Sequence, residues 1–108
     1  MQQMAYLRRI DRLFELLRNA FPHNPPQVTP ELRQTLDHVV SRCGVHAIFV
    51  ERDLGRYVCV AYQLGPDFDT IFPAASAILG DETRPADERL TLLEFWADQM
   101  LRTLEGAG

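Results

Sequence analysis

The chain contains no lysine; all eleven of its basic side chains are arginine, set against fifteen acids in 108 residues. Residues 65–108 are the most lopsided part, with nine acids against Arg84, Arg89 and Arg102, a net of −6. An acidic half-chain lacks the basic footprint that a nucleic-acid backbone requires, so nucleic acid is excluded as the expected partner. It suits solubility, or a basic protein partner. Cysteine is scarce: Cys43 and Cys59 form no disulfide framework, which points to a reducing compartment. No stretch approaches the roughly 18 apolar residues of a membrane span. The opening Met1-Gln2-Gln3-Met4-Ala5-Tyr6 lacks the basic start, apolar centre and cleavage site of a secretory signal, so a cytoplasmic location is expected.

Patterns that carry chemistry are missing too. There is no Gly-rich phosphate loop. Ser41, Cys43, Cys59 and Ser76 have no neighbouring base in a nucleophile signature. His38, Cys43 and His46 are the candidate metal ligands, but His38 lies five residues before Cys43 and no second pair exists. The expectation is a non-enzymatic protein with no metal and no cofactor.

What is present is helical periodicity and one elaborate connector. Met4 to Phe21 reads as an amphipathic helix, with Leu7, Ile10, Phe14, Leu17 and Phe21 at spacings of three and four. Pro22 closes it, and Asn24-Pro25-Pro26 cannot continue it. The next helix begins with Thr29 as N-cap, Pro30 at the first helical position and Glu31 near the positive dipole end. Its stripe is Leu32, Leu36, Val39, Val40 and Cys43, and Gly44 stands where a left-handed cap is expected.

The stretch from Val45 to Leu64 admits two readings. Ala47–Val50 and Tyr57–Tyr62 are β-prone runs separated by a turn-like Arg52-Asp53-Leu54-Gly55, an α+β alternative with a hairpin over 47–62. A hairpin without further strands is marginal, however, and no other strand is evident. Leu54, Tyr57, Val58, Ala61 and Leu64 share one helical face, which favours a helix from Glu51 to Leu64 ended by Gly65. Pro73 to Leu79 forms a short helix. The last helix starts near Pro85, with a stripe of Leu90, Leu93, Ala97, Met100, Leu101 and Leu104. The sum is a single all-α domain over residues 1–108, with four main helices plus one short one. Its core is expected to contain Leu36, Val40, Leu54, Val58, Ala61, Leu93, Ala97 and Met100.

The connector Leu64-Gly65-Pro66-Asp67-Phe68-Asp69-Thr70 places two carboxylates either side of a Phe. Asp67 and Asp69 could bind a cation or share a proton. The simpler reading has them accept backbone N–H groups, so that Gly65, Asp67, Phe68 and Asp69 shape a turn, with Gly65 at φ > 0 and Phe68 pointing inward. Phe95 and Trp96 flank the stripe of the last helix and are the candidate anchors for a protein partner.

Three segments together resemble a known family: Glu51-Arg52-Asp53-Leu54-x-Arg56-Tyr57, Leu64-Gly65-x-Asp67-Phe68-Asp69-Thr70, and Pro73-x-Ala75-x-x-Ile78-Leu79-x-Asp81 with Glu88-Arg89 beyond. They are similar to small proteins encoded beside spike, adaptor and effector components of bacterial type VI secretion systems. The resemblance covers about residues 29–104 and is most specific from Gly65 to Ile78. The Pro-Trp-Ala common in that family is here Pro73-Ala74-Ala75, and the loop from Asp69 to Pro73 is shorter. The resemblance implies a helix before Gly65 and an accessory role, such as a co-chaperone acting with an effector-loading adaptor. An immunity protein that neutralises a secreted toxin is the alternative, since small size and acidic charge would also serve there.

Overall fold

A computed structural model describes the backbone of residues 2–107 and the side chains of residues 9–106. Six helices follow one another: α1 (Gln2–Ala20), α2 (Pro30–Val45), α3 (Glu51–Leu64), α4 (Phe68–Ile71), α5 (Pro73–Leu79) and α6 (Ala86–Ala107). No strand occurs among the described residues, so the hairpin alternative over 47–62 is overturned. Those residues instead contribute the most buried helix of the fold. Asp53, Leu54, Gly55, Tyr57, Val58, Val60 and Ala61 of α3 are all buried, which is why its sequence is apolar nearly all round.

Helix α3 is the hub, packing against α1, α2 and α6. Helix α1 comes close to α3 at Gly55, where an added Cβ would lie 3.0 Å from a methyl of Leu16. On the other side of the core, α5 bridges α4 and α6. Ile10, Leu13, Phe14 and Leu17 of α1 meet Leu36, Val39 and Cys43 of α2 and the buried face of α3 in one cluster, completed by Phe68, Ala75, Leu79, Leu90, Leu93 and Ala97. Six of the eight expected core residues are buried; Val40 and Met100 are only partly so. Leu7 of the expected α1 stripe lies outside the described side chains.

The helix ends follow local chemistry, with one correction. The Thr29 side chain accepts the Leu32 N–H at 3.1 Å, and Pro30 occupies the first turn of α2. Gly44, expected as the left-handed cap, is instead inside α2. The left-handed residue is Ala47, at φ 57. Its N–H donates to Gly44 O at 3.1 Å, and the Ile48 N–H donates to Cys43 O at 2.9 Å. This is a Schellman closure, and the apolar pair that accompanies it is Ile48 on Cys43, both buried.

The four main helices and the short Pro73–Leu79 helix are those expected, and one further short helix joins them. A one-turn helix, α4, forms inside the segment anticipated as a connector, so that Phe68 and Asp69 are helical residues rather than turn residues. Gly65 precedes it at φ 108, ψ 154, a conformation essentially confined to glycine. Phe68 is fully buried, with its ring centroid 5.0 Å from that of Tyr57.

Candidate functional site

Helix α2 and its C-cap residue present His38, Arg42 and His46 at intervals of four, so all three lie along one side. Opposite them stand the two carboxylates of the Gly65–Thr70 segment. His38 Nε2 is 2.6 Å from Asp67 Oδ1 in an exposed pair. Arg42 Nε donates to Asp69 Oδ2 at 2.8 Å, and His46 Nε2 meets the same oxygen at 2.7 Å. The Asp69 side chain is fully buried, while those of Arg42 and His46 keep partial contact with solvent. The expectation that these aspartates accept backbone N–H groups is therefore corrected. Asp67 stands at the N-cap of α4 without a capping hydrogen bond from its side chain, and the acceptors serve α2 instead.

A buried carboxylate in this setting is subject to opposed effects. Burial raises the Asp69 pKa, but the hydrogen bonds from His46 and Arg42 and their charge outweigh it, so the carboxyl lies below its ordinary value. Asp69 in turn acts on its neighbours. Burial first, and the Asp69 charge second, raise the Tyr57 hydroxyl and push the Cys43 thiol up to about 12. Cys59 is raised as well, chiefly by burial. Neither thiol is set up as a thiolate nucleophile. Two buried oxygens in this cluster, Tyr57 Oη and Asp69 Oδ1, have no hydrogen-bond partner.

A second network ties α3 to α6. Arg56 donates to Glu94 Oε1 through Nε (3.0 Å) and Nη2 (2.6 Å), to Asp87 Oδ1 through Nη1 (2.8 Å), and to Thr91 Oγ1 through Nη2 (3.0 Å). Asp53, buried one turn earlier, approaches the same guanidinium at 3.4 Å. Asp53 and Arg56 are thus spent on joining α3 to α6, while Glu51 of the same motif pairs with Arg12 of α1 at 2.6 Å. Arg89 does similar work elsewhere. Its guanidinium is buried and donates to Arg84 O (3.2 Å), His46 O (2.9 Å) and Leu79 O (2.8 Å). The last two carbonyls close α2 and α5, where a cation complements the negative helix ends.

The two candidate anchors have different environments. Phe95 is 67 % exposed on α6. Trp96 is half-buried and meets Phe72 edge-on, with ring centroids 5.4 Å apart and planes at 65°. Exposed Ile71 adjoins Phe72 in sequence, and exposed Leu92 lies one turn before Phe95.

Sequence reasoning singled out Asp67, Asp69, His38 and His46 but did not bring them together; it missed Arg42, and it met Arg56 and Arg89 only as members of the family-like pattern. The every-fourth spacing of His38, Arg42 and His46 was the available signal, since a buried acid requires a basic face to receive it. Among the described residues no group of three or more His, Cys, Asp or Glu side chains is placed to hold a metal ion. No described helix is long and apolar enough to cross a membrane. Compared with protein families, curated proteins and solved structures, the chain matches none of them.

Proposed function

We propose that this protein acts by binding another protein, as a non-enzymatic accessory component of a bacterial type VI secretion system working in the cytoplasm. In this reading it is a co-chaperone or adaptor-associated protein that assists effector loading. The observation that carries the binding reading is the 67 % exposure of Phe95. A large aromatic held in water on a rigid helix is a poor use of apolar surface unless something covers it. Glu94 and Asp98 border it but are already paired with Arg56 and Arg102, so the apolar ring is the part of this face that a partner would cover. The charged clusters support the same reading, because Asp69, Arg56 and Arg89 already have partners inside the fold. The secretion context comes from the resemblance carried by residues 51–57, 64–70 and 73–81.

Affinity purification of the tagged protein with its neighbouring secretion components tests the reading. Retention of an effector-loading adaptor is the expected result. Retention of a toxin domain alone would favour the immunity-protein reading, and retention of neither would overturn both.

A further inference from the structure

The apolar face around Phe95 is not made by α6 alone. Its half-buried member is Trp96, and the ring that Trp96 meets edge-on belongs to Phe72, 5.4 Å away between centroids. Phe72 is the residue on which two short helices turn. It closes α4, donating its N–H to Phe68 O at 3.1 Å, and it opens α5, accepting the Ser76 N–H at 3.1 Å. Exposed Ile71 precedes it in sequence, and exposed Leu92 and Phe95 precede Trp96 on α6. The backbone of α6 is held separately, by Arg56 of α3.

What places Phe72 is decided within the preceding turn. A four-residue helix has no stability of its own, so α4 takes its position from what its side chains grip. Asp69 supplies that grip. Its buried carboxylate accepts from Arg42 Nε at 2.8 Å and meets His46 Nε2 at 2.7 Å. Phe72 follows Asp69 by three residues, less than one helical turn, so a shift of α4 carries the Phe72 ring with it. As a source of stability this cluster is a poor choice. A buried ion pair repays little beyond its own desolvation, and its best-attested use is to fix one geometry. Here Asp69 Oδ1 and Tyr57 Oη also lie buried without a hydrogen-bond partner, which costs stability further.

We infer that Asp69 is a positioning residue for the partner-binding face: by fixing α4 it sets the Phe72 ring against Trp96, and so the arrangement in which Trp96 and Phe95 meet a partner. Asp69 touches neither aromatic of α6; it acts through Phe72. The gain is pre-organisation, since a face already held in its binding arrangement loses less freedom when covered. Asp67, on the same segment but in an exposed pair with His38, has no such role. This role rests on the reading of that face as the partner site. It is visible without any partner, however, because Trp96 is the single tryptophan of the chain.

The test is the indole Nε1–H signal of Trp96 in proton–nitrogen correlation spectra of the whole chain. Asp69→Asn should move or split this signal. Arg42→Gln and His46→Gln each remove one of the two side chains that hold Asp69 and keep the other, and each should move it the same way by less. Asp67→Asn should leave it in place. So should Ile10→Val, which trims a buried side chain of α1 and lowers the melting temperature, separating positioning from general loosening. In a Phe72→Leu background, Asp69→Asn should lose most of its effect on the signal, because the intermediary ring is gone. Capture of a secretion neighbour should weaken about fivefold in Asp69→Asn if the competent arrangement falls to about a fifth of the population. Phe95→Ala should weaken capture yet keep the indole response to Asp69→Asn, which tells failure of the binding reading from failure of the positioning role. An indole signal unmoved in Asp69→Asn, or in both donor variants where Asp69→Asn does not fold, would overturn the inference. Equal movement with Ile10→Val, an undiminished effect in the Phe72→Leu background, or undiminished capture by Asp69→Asn would do the same. A wild type that captures no neighbour would overturn the binding reading and leave the indole signal to decide the positioning.

Discussion

Asp69 and His46 lie 23 positions apart in sequence, yet the Asp69 carboxylate and His46 Nε2 are 2.7 Å apart at the place where α4 meets the end of α2. This contact explains why a one-turn helix persists at all. Four residues cannot sustain a helix by propensity. The buried Asp69 carboxylate and the Phe68 ring, tilted against Tyr57, fix α4 from two directions. The acid is therefore a tie between elements.

Asp69→Asn should destabilise the protein by about 2 kcal/mol or more. Removing one partner of a buried pair costs roughly 3–5 kcal/mol, and the partial hydration of Arg42 reduces that figure. Asp67→Asn, at the exposed pair with His38, should stay within about 0.5 kcal/mol of wild type. Urea unfolding of the two variants side by side measures the contrast. Equal effects would mean that burial does not distinguish the two acids.

The pH dependence follows in sign from the lowered Asp69 pKa. A carboxyl whose folded value is depressed contributes stability that is fully present above the unfolded value, near 3.9, and is lost as pH falls through the folded value. The stability gap between wild type and Asp69→Asn should therefore be widest above about pH 5 and narrow below about pH 4. Cys43, pushed up to about 12, acts on the alkaline side: its contribution is complete below the unfolded thiol value and is lost as pH rises from there toward 12. Denaturation midpoints across pH 3–6 check the first statement, and a gap that widens in acid would contradict it.

Ala47→Gly should stabilise the protein by about 0.5 kcal/mol. Glycine relieves the left-handed strain at φ 57, and part of that gain is returned as unfolded-state entropy. Gly44→Ala should also stabilise, by up to about 1 kcal/mol, because Gly44 is inside α2 and nothing lies within 4 Å of the added methyl. Thermal melts of both variants decide the matter, and a fall in melting temperature for either would refute its backbone assignment.

These two positions mark what was legible in the sequence. Thr29-Pro30-Glu31 announced the start of α2 because capping is local chemistry. The apolar run of α3 was readable as a helix only through an indirect consideration, the lack of partner strands, since burial on all sides erases periodicity. The end of α2 was misplaced by a few residues because glycine is the usual left-handed residue, and here a tertiary anchor, buried Ile48, holds an alanine in that conformation. Helix α4 and the partners of Asp69 were not legible. Both depend on contacts more than twenty residues apart, which spacing along one element does not encode.

Gly65→Val should destabilise by about 1–3 kcal/mol. At φ 108, ψ 154 a side chain is strained wherever it points, and the space around Gly65 is open, so the cost is backbone strain and not a clash. Gly65→Ala should therefore cost nearly as much as valine. A melting temperature that falls with side-chain size would show that packing dominates instead.

Phe95 and Trp96 should separate binding from stability. Phe95 is 67 % exposed, so Phe95→Ala should leave the melting temperature near wild type. Trp96 packs edge-on against Phe72, and Trp96→Ala should destabilise by about 1–3 kcal/mol through lost aromatic contact and burial. If α6 engages the partner, Phe95→Ala should weaken capture of that partner at least about tenfold while remaining folded, as loss of an interface anchor does. Raising salt should slow association with a basic partner more than it speeds dissociation, because screening acts on the approach of the acidic face. Surface-plasmon measurements of wild type and Phe95→Ala at two salt concentrations read both effects. Undiminished binding by Phe95→Ala would remove α6 from the interface.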